Sequence, residues 1–332
     1  MSWDRIMFAV ATPSGAEASV MSKVVRLTSA LDAELELFNC VFDGDIARPG
    51  RFGSRGVEAD IREIVAQRHR QIENTAERLR AQGIRARSSV RWDYPAYEGV
   101  VRQVLRHKPH LLIVESRRKG AAARLLLTQT DFKLIETCPC PLLLIKTARP
   151  YSTASVIAAV DPTRAHKKPA ALDDAILDSA TVVTQALSGR LLLFHARTPW
   201  EDIVRAIPSL RHIPEVEQPD AQSAYRESID RHVRQLARRH GVLKERTRVT
   251  DAYVAESLPQ LVRAESAGIV VMGAVSRSFI KRAVIGHTAE RLLDVLDCDV
   301  LIAKSPGFRS PVRIGSAQHV RQRATGSGRF IL

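Results

Sequence analysis

The chain has 332 residues, of which 45% are hydrophobic and 26% charged, and its formal net charge is +14. That balance is ordinary for a globular protein, and the length suits two domains with a core each. No apolar run approaches the roughly 20 residues of a membrane span, and the four cysteines have no second pair or nearby histidine to complete a zinc set.

The opening, MSWDRIMFAV, runs through Asp4 and Arg5 into a strand-like stretch without signal-peptide architecture, so a cytoplasmic location is expected. Ile6–Val10 reads as a short apolar strand, and Ala16–Leu31 as a helix with Val20, Val24, Leu27 and Leu31 on one stripe. Leu35–Phe42 is a second strand. A long charged helix follows, ended by Gly83. Ala86–Trp92, the helix Ala96–His107 and the wholly apolar Leu111–Glu115 come next. A helix around Asp131–Glu136 leads to a fifth strand at Leu142–Lys146.

The pattern then repeats. Strand Val156–Val160, helix Ala170–Leu187 and strand Leu191–Ala196 precede a proline-rich loop through Pro199, Pro208, Pro214 and Pro219. Helix Ala221–His240 and strand Arg246–Thr250 follow. Helix Val254–Ala267 is expected to stop at Gly268, before strand Ile269–Met272, helix Thr288–Leu296 and strand Val300–Ala303. Segments recur at an offset of about 150 to 160 residues: RIMFAVATPS from Arg5 against SVIAAVDPTR from Ser155, and HLLIVE from His110 against GIVVMG from Gly268. CPCPLLLIK from Cys138 matches CDVLIAK from Cys298, which places Cys138 and Cys298 alike before a last strand and makes the thiols read as buried structural groups.

Short, wholly apolar strands between helices indicate parallel sheets covered on both faces. The expected fold is α/β, two tandem doubly wound five-stranded domains over 1–150 and 151–304, then a basic, disordered tail at 305–332. Residues 1–150 carry 24 basic against 17 acidic groups, 151–303 carry 20 against 19, and 304–332 carry six against none. The tail offers electrostatic contact with nucleic acid or an anionic surface, but aromatics are only 5% of the chain and no nucleic-acid-reading module is present.

Ligands of such sheets sit beyond the carboxyl ends of the strands, at the topological switch. After the fourth strand of the second repeat comes VMGAVSRSFIKRAVIGHTAERLL. With AAVDPT at Ala158–Thr163, FHA at Phe194–Ala196 and TQTDFKLIETCPCPLLLIK in the first half, this resembles the universal stress protein family, in particular its tandem-domain members, over roughly residues 3–304. The resemblance implies an adenine nucleotide alpha hydrolase-like fold and a stress-response role without catalysis. It also implies ATP or another adenine nucleotide as cofactor where the pattern G-x2-G-x9-G-[ST] is kept.

Here Met272 precedes Gly273, Ser276 replaces the second glycine and Arg277 opens the nine-residue spacer. Gly286 is the third glycine, His287 holds the Ser/Thr place, and Thr288 follows. Asp161, after the first strand, matches the family's acidic residue, placed by resemblance near the ribose. Glycines let backbone N–H groups approach phosphates, and the next helix presents its positive end. Serine loses glycine's access to positive φ, so nucleotide binding and a merely structural connection both stay open.

In the first repeat Ala11 stands where Asp161 does, and Glu115 where Gly273 does. A carboxylate aimed at a phosphate loop repels anions. The segment SRRKGAAARLLL offers Gly120 alone, beside Arg117, Arg118, Lys119 and Arg124. His195 ends the second repeat's second strand and is expected to pack or hydrogen-bond. Trp92, Asp93 and Tyr94 recur as Thr250, Asp251 and Tyr253, which suggests helix N-caps or a rim. No catalytic set and no metal ligands emerge. The expectation is a covalent pseudo-dimer whose domains pair through their apolar fifth strands, a geometry that also permits a homodimer. The competing readings are a nucleic-acid-associated protein and a nucleotide-using enzyme of the same superfamily, although SGGxDS, HIGH and KMSKS signatures are missing.

Overall fold

The computed structural model describes residues 2–11, 16–43, 46, 54–116, 128–151, 154–162, 171–273 and 292–315. The described chain divides into two compact units, one built on Trp3–Glu115 with Gln129–Leu142, the other on Leu143–Phe308. Both are doubly wound α/β structures, as the alternation of elements predicts.

In the first unit β1 (Arg5–Ala9), β2 (Glu34–Val41), β3 (Ala86–Trp92) and β4 (Leu111–Glu115) alternate with α1 (Ala18–Ala30), α2 (Ser54–Ala81) and α3 (Ala96–His107), and α4 (Gln129–Thr137) follows. The strands lie in the order β3-β2-β1-β4 with parallel pairing. Helix α1 buries its stripe, Val20, Val24 and Leu27, without residual exposure. Helix α2 buries only Ile72, Ala76 and Leu79 among its described side chains and leaves its charges outward, as expected of an amphipathic helix on a sheet.

The second unit begins in β5 (Leu142–Ile145) and continues through β6 (Ser155–Ala159), α5 (Ala171–Ala186), β7 (Arg190–Ala196), α6 (Trp200–Ala206), α7 (Gln218–Arg239), β8 (Thr247–Thr250), α8 (Val254–Ala264), β9 (Ala267–Gly273) and β10 (Asp299–Ala303). Its strand order is β5-β10-β9-β6-β7-β8, and β10, β9, β6, β7 and β8 are mutually parallel.

Some elements differ from expectation. The proline-rich stretch is not a plain loop: it forms α6 and two short 3-10 turns, Pro208–His212 and Glu215–Glu217. Proline is accepted there because the first turn of a helix has no use for its missing N–H. Helix α8 stops at Ala264, four residues before Gly268. Ser266 turns the corner with φ 47°, and Gly268 lies inside β9. A Cβ on Gly268 would stand 3.3 Å from the Ala154 side chain and 3.5 Å from Tyr151, so this glycine serves close packing rather than a cap. Of the predicted helix Thr288–Leu296, residues 288–291 lie outside the described residues and 292–295 are helical. Of the tail, 305–315 hold no helix or strand, and 316–332 lie outside the described residues.

One buried carboxylate organises the start of the second unit. Asp299, fully buried at the start of β10, accepts the backbone N–H of Lys146 at 2.9 Å and of Thr147 at 3.0 Å. It also accepts the Tyr151 hydroxyl at 2.5 Å and the Thr147 hydroxyl at 3.3 Å. Burial, and then the Asp299 charge, push the Tyr151 hydroxyl well above its ordinary pKa, so it stays a donor. The Lys146 ammonium, also fully buried, donates to the carbonyls of Leu293 and Leu296 at the helix end before β10. Burial pulls Lys146 below the usual lysine range, against nearby carboxylates that raise it.

Removing Asp299 strands several buried donors at once. Asp299→Ala is expected to lower the free energy of unfolding by roughly 3–5 kcal/mol, read as a drop in the urea midpoint. Asp297→Ala, whose ion pair with Arg149 leaves both side chains about half exposed, should shift it by less than about 1 kcal/mol.

Candidate functional site

In the second unit β6 is the central strand. The chain steps from β6 to β7 and β8 on one side, then returns to place β9 on the other. The switch point therefore lies between the carboxyl ends of β6 and β9, where open α/β sheets bind ligands. Register sets Ala158 beside Val271 and Ala159 beside Phe194. Asp161, two residues beyond β6, and Gly273, the last residue of β9, accordingly share this edge of the sheet.

The turn leaving β6 is fixed group by group. Val160 donates its N–H to Phe194 O at 3.0 Å. The Val160 carbonyl pairs with His195 Nδ1 at 3.0 Å. A carbonyl only accepts, so Nδ1 carries the proton. The Asp161 N–H donates to the carboxylate of Asp173 at 3.0 Å, in the first turn of α5 and 5% exposed. Asp161 is thus held half-buried at the rim. Met272 is buried in the strand behind it.

Gly273 meets the first turn of α5 from the other side. A Cβ there would stand 2.7 to 3.0 Å from three side-chain carbons of Leu172, which is itself buried. The residue is small because β9 and α5 approach closely, a packing demand separate from any phosphate contact.

Beyond β7 a charged rim closes the neighbouring edge. Arg197, 11% exposed at its side chain, lies 3.3 Å from Asp230 of α7 and 3.0 Å from Asp251 after β8. Its backbone N–H is bound to Thr250 O at 2.8 Å. Arg226 adds a second contact to Asp251 at 3.5 Å. Tyr225 packs against Trp200, with ring centroids 5.8 Å apart. Burial raises the Tyr225 hydroxyl above its ordinary pKa, and the Asp161 charge adds to that.

Of the residues singled out by the sequence pattern, the structure brings Asp161, Met272 and Gly273 to one edge. Ser276, Arg277, Gly286, His287 and Thr288 lie outside the described residues, as do Arg117, Arg118, Lys119, Gly120 and Arg124. Asp173, Arg197, Tyr225 and Asp230 were not foreseen. Their sequence neighbourhoods carry no motif, and only Arg197, directly behind a predicted strand, had a positional signal.

The recurring aspartates are not helix caps. Helices α3 and α8 are capped by Pro95 and Tyr253 without a side-chain bond. Asp93 instead accepts Arg102 at 2.5 Å and the Tyr94 N–H at 2.8 Å, while Asp251 holds the two arginines of the rim.

The first unit shows the same scaffold with other chemistry. Ala11 occupies the Asp161 position and is exposed, and Glu115 closes β4 where Gly273 closes β9. In place of His195 stands Asn39, one residue past Phe38 as His195 is past Phe194. Asn39 Nδ2 donates to Val10 O at 2.6 Å, the counterpart of the Val160 carbonyl. The pinned turn is conserved between the units and the carboxylate is not. Among the described residues no group of His, Cys, Asp and Glu could hold a metal ion, and no helix is long and apolar enough to cross a membrane.

Comparison with known proteins agrees with this fold. The model of the Universal stress protein family matches residues 2–146 and 155–304. Universal stress protein E of Photorhabdus laumondii is 25% identical over 236 residues, 70% of this chain and 73% of that protein. Universal stress protein E of Escherichia coli K12 is 22% identical over 308 residues, 93% and 96% of the two chains. A putative universal stress protein from Pseudomonas aeruginosa UCBPP-PA14 superposes with TM-score 0.68 at 21% identity, covering 97% of this chain and 98% of that one. A universal stress protein from Archaeoglobus fulgidus gives 0.59 at 13% identity, covering 90% and 98%. At these identities the structures speak for the fold alone.

Since asparagine does in one unit what histidine does in the other, His195→Asn is expected to leave the melting temperature nearly unchanged. His195→Leu deprives the Val160 carbonyl of its donor and should cost roughly 1–3 kcal/mol. Equal loss in both variants would show that ring packing, not the hydrogen bond, is the contribution of His195.

Proposed function

The chain belongs to the Universal stress protein family, and we propose that it acts in the stress response by binding an adenine nucleotide at the carboxyl ends of β6 and β9, without turning it over. The observation that carries this reading is the meeting of Asp161 and Gly273 at the switch point, each fixed by the first turn of α5. The sequence from Gly273 to Gly286, Ser276 and Arg277 included, would continue into the phosphate-binding segment, with His287 or Thr288 at the final polar place. In the same proposal Asp161 faces the ribose, whose hydroxyls a carboxylate accepts well.

Two features favour binding over catalysis. The described rim pairs Arg197 with Asp230 and Asp251, which leaves that guanidinium committed to the protein. No side chain within this rim forms a nucleophile–base pair of the kind that activates a reacting atom. The domains proposed are 1–150 and 151–304, the first contributing structure to a cytoplasmic pseudo-dimer, since Ala11 and Glu115 lack the chemistry of Asp161 and Gly273.

Calorimetry with ATP on the purified full chain tests the reading. A saturable signal is expected, weakened roughly tenfold by Asp161→Ala and abolished by Gly286→Val, with ATP left intact over the titration. No heat with ATP, together with no nucleotide released from protein purified without addition, would reject the site. Conversion of ATP to ADP that Gly286→Val abolishes would replace binding with an enzymatic role.

A further inference from the structure

The four cysteines occupy two kinds of environment. Cys40 donates to Asp93 O at 3.4 Å and packs against Gly99, and burial pushes its thiol pKa up to about 12. Cys298, beside Asp299, is likewise pushed up to about 12 by burial. Both are held as protonated, unreactive thiols. Cys138 and Cys140 differ: their sulfurs lie 3.6 Å apart, at van der Waals contact and in the reduced form.

The chain holds them there. Cys138 closes α4, its N–H bound to Leu134 O at 2.9 Å, and β5 starts at Leu142. Between and after the two cysteines stand Pro139 and Pro141, each with φ fixed by its ring. The Pro141 carbonyl accepts the Leu112 N–H at 2.9 Å, which ties the turn to β4. Counted back from Lys146 and Lys304, which follow the two last strands, Cys140 rather than Cys138 is the counterpart of Cys298. Cys138 is the added thiol, and it makes the pair.

We propose that Cys138 and Cys140 are a site of reversible oxidation, closing to an intramolecular disulfide when the protein meets hydrogen peroxide. The sulfurs need to approach by only about 1.5 Å to reach bonding distance. Cys140 is 9% exposed and Cys138 not at all, so peroxide attacks at Cys140. Its thiolate displaces hydroxide from the peroxide and becomes a sulfenic acid. Cys138 then attacks that sulfur, the S–O bond breaks, and water leaves as the S–S bond forms. Overall two thiols and one peroxide give one disulfide and two waters. A cellular dithiol reductant reverses the step. In a compartment that keeps thiols reduced, such a bond is transient and reports oxidant. The inference stands apart from the nucleotide reading, since it concerns the other unit and none of the same residues.

Peptide mapping of the full chain tests it. Reduced protein is exposed to a small excess of hydrogen peroxide, denatured, alkylated and cut with trypsin, which releases both cysteines on the single peptide 134–146. The expected peptide lacks two hydrogens and carries no alkyl group, while Cys40 and Cys298 remain fully alkylated. Dithiothreitol before alkylation should restore two labels. In Cys138→Ser, Cys140 should be trapped by dimedone as the sulfenic acid. Two alkyl groups on the wild-type peptide after peroxide would overturn the proposal. So would sulfinic acid in place of the disulfide, or a bond to Cys40, Cys298 or another chain. The wild-type map decides the matter even where a serine variant folds poorly.

Discussion

The chain leaving β6 presents backbone groups that strand pairing cannot complete, and buried backbone groups do not stay unpaired. Three partners take them: Phe194 O for the Val160 N–H, His195 for the Val160 carbonyl, and the Asp173 carboxylate for the Asp161 N–H. They come from two elements, β7 and α5, so the turn is over-determined. That constraint fixes where Asp161 stands and brings the first turn of α5 against Gly273. The geometry of the whole edge follows from satisfying one short piece of backbone.

The duplication separates scaffold from chemistry. Asn39 and His195 differ in size, aromaticity and titration, yet both donate to the carbonyl after a first strand. What is retained is a donor at that place, the least a parallel sheet requires of the position. Around this shared device the ligand-facing residues diverge: Ala11 against Asp161, and Glu115 against Gly273. Glu115 also lacks the smallness that lets β9 approach Leu172. The two ends of β4 and β9 thus differ in packing as well as charge, and no single substitution would interconvert them.

Strands such as β4 and β5 were legible because each is a short apolar run with both faces buried. Leu111–Val114 and Leu142–Ile145 retain at most 5% exposure, and such runs need no knowledge of their partners. Asp161 and Gly273 were legible because a motif and a strand end coincide. The residues that hold them were not. Asp173 looks like an ordinary first-turn acid of a helix, and only the fold shows it reaching back twelve positions to a backbone N–H. Asp93 and Asp251 stand where caps are expected, but arginines claim them, Arg102 from within α3 and Arg197 from across the fold. Charge pairs overrode the local rule. Gly268 misled for a related reason: a glycine after a helix signals a cap, whereas here close packing against Ala154 and Tyr151 uses it.

Charge in the second repeat falls into two parts. The described rim carries Asp161, Asp173, Asp230 and Asp251 against Arg197 and Arg226, and both arginines are already paired with Asp251. A polyphosphate placed against that rim would be repelled, while ribose hydroxyls and a purine amino group would be welcome there. The segment 274–291 has the opposite balance in sequence, with Arg277, Lys281, Arg282 and Arg291 against Glu290. An adenine nucleotide has this same polarity, with neutral donors at one end and negative charge at the other. The nearly neutral total of residues 151–303 therefore combines an acidic rim with a basic run of sequence. Under the nucleotide proposal, a neutral nucleoside would match only the rim, and a free polyphosphate only the basic run of sequence.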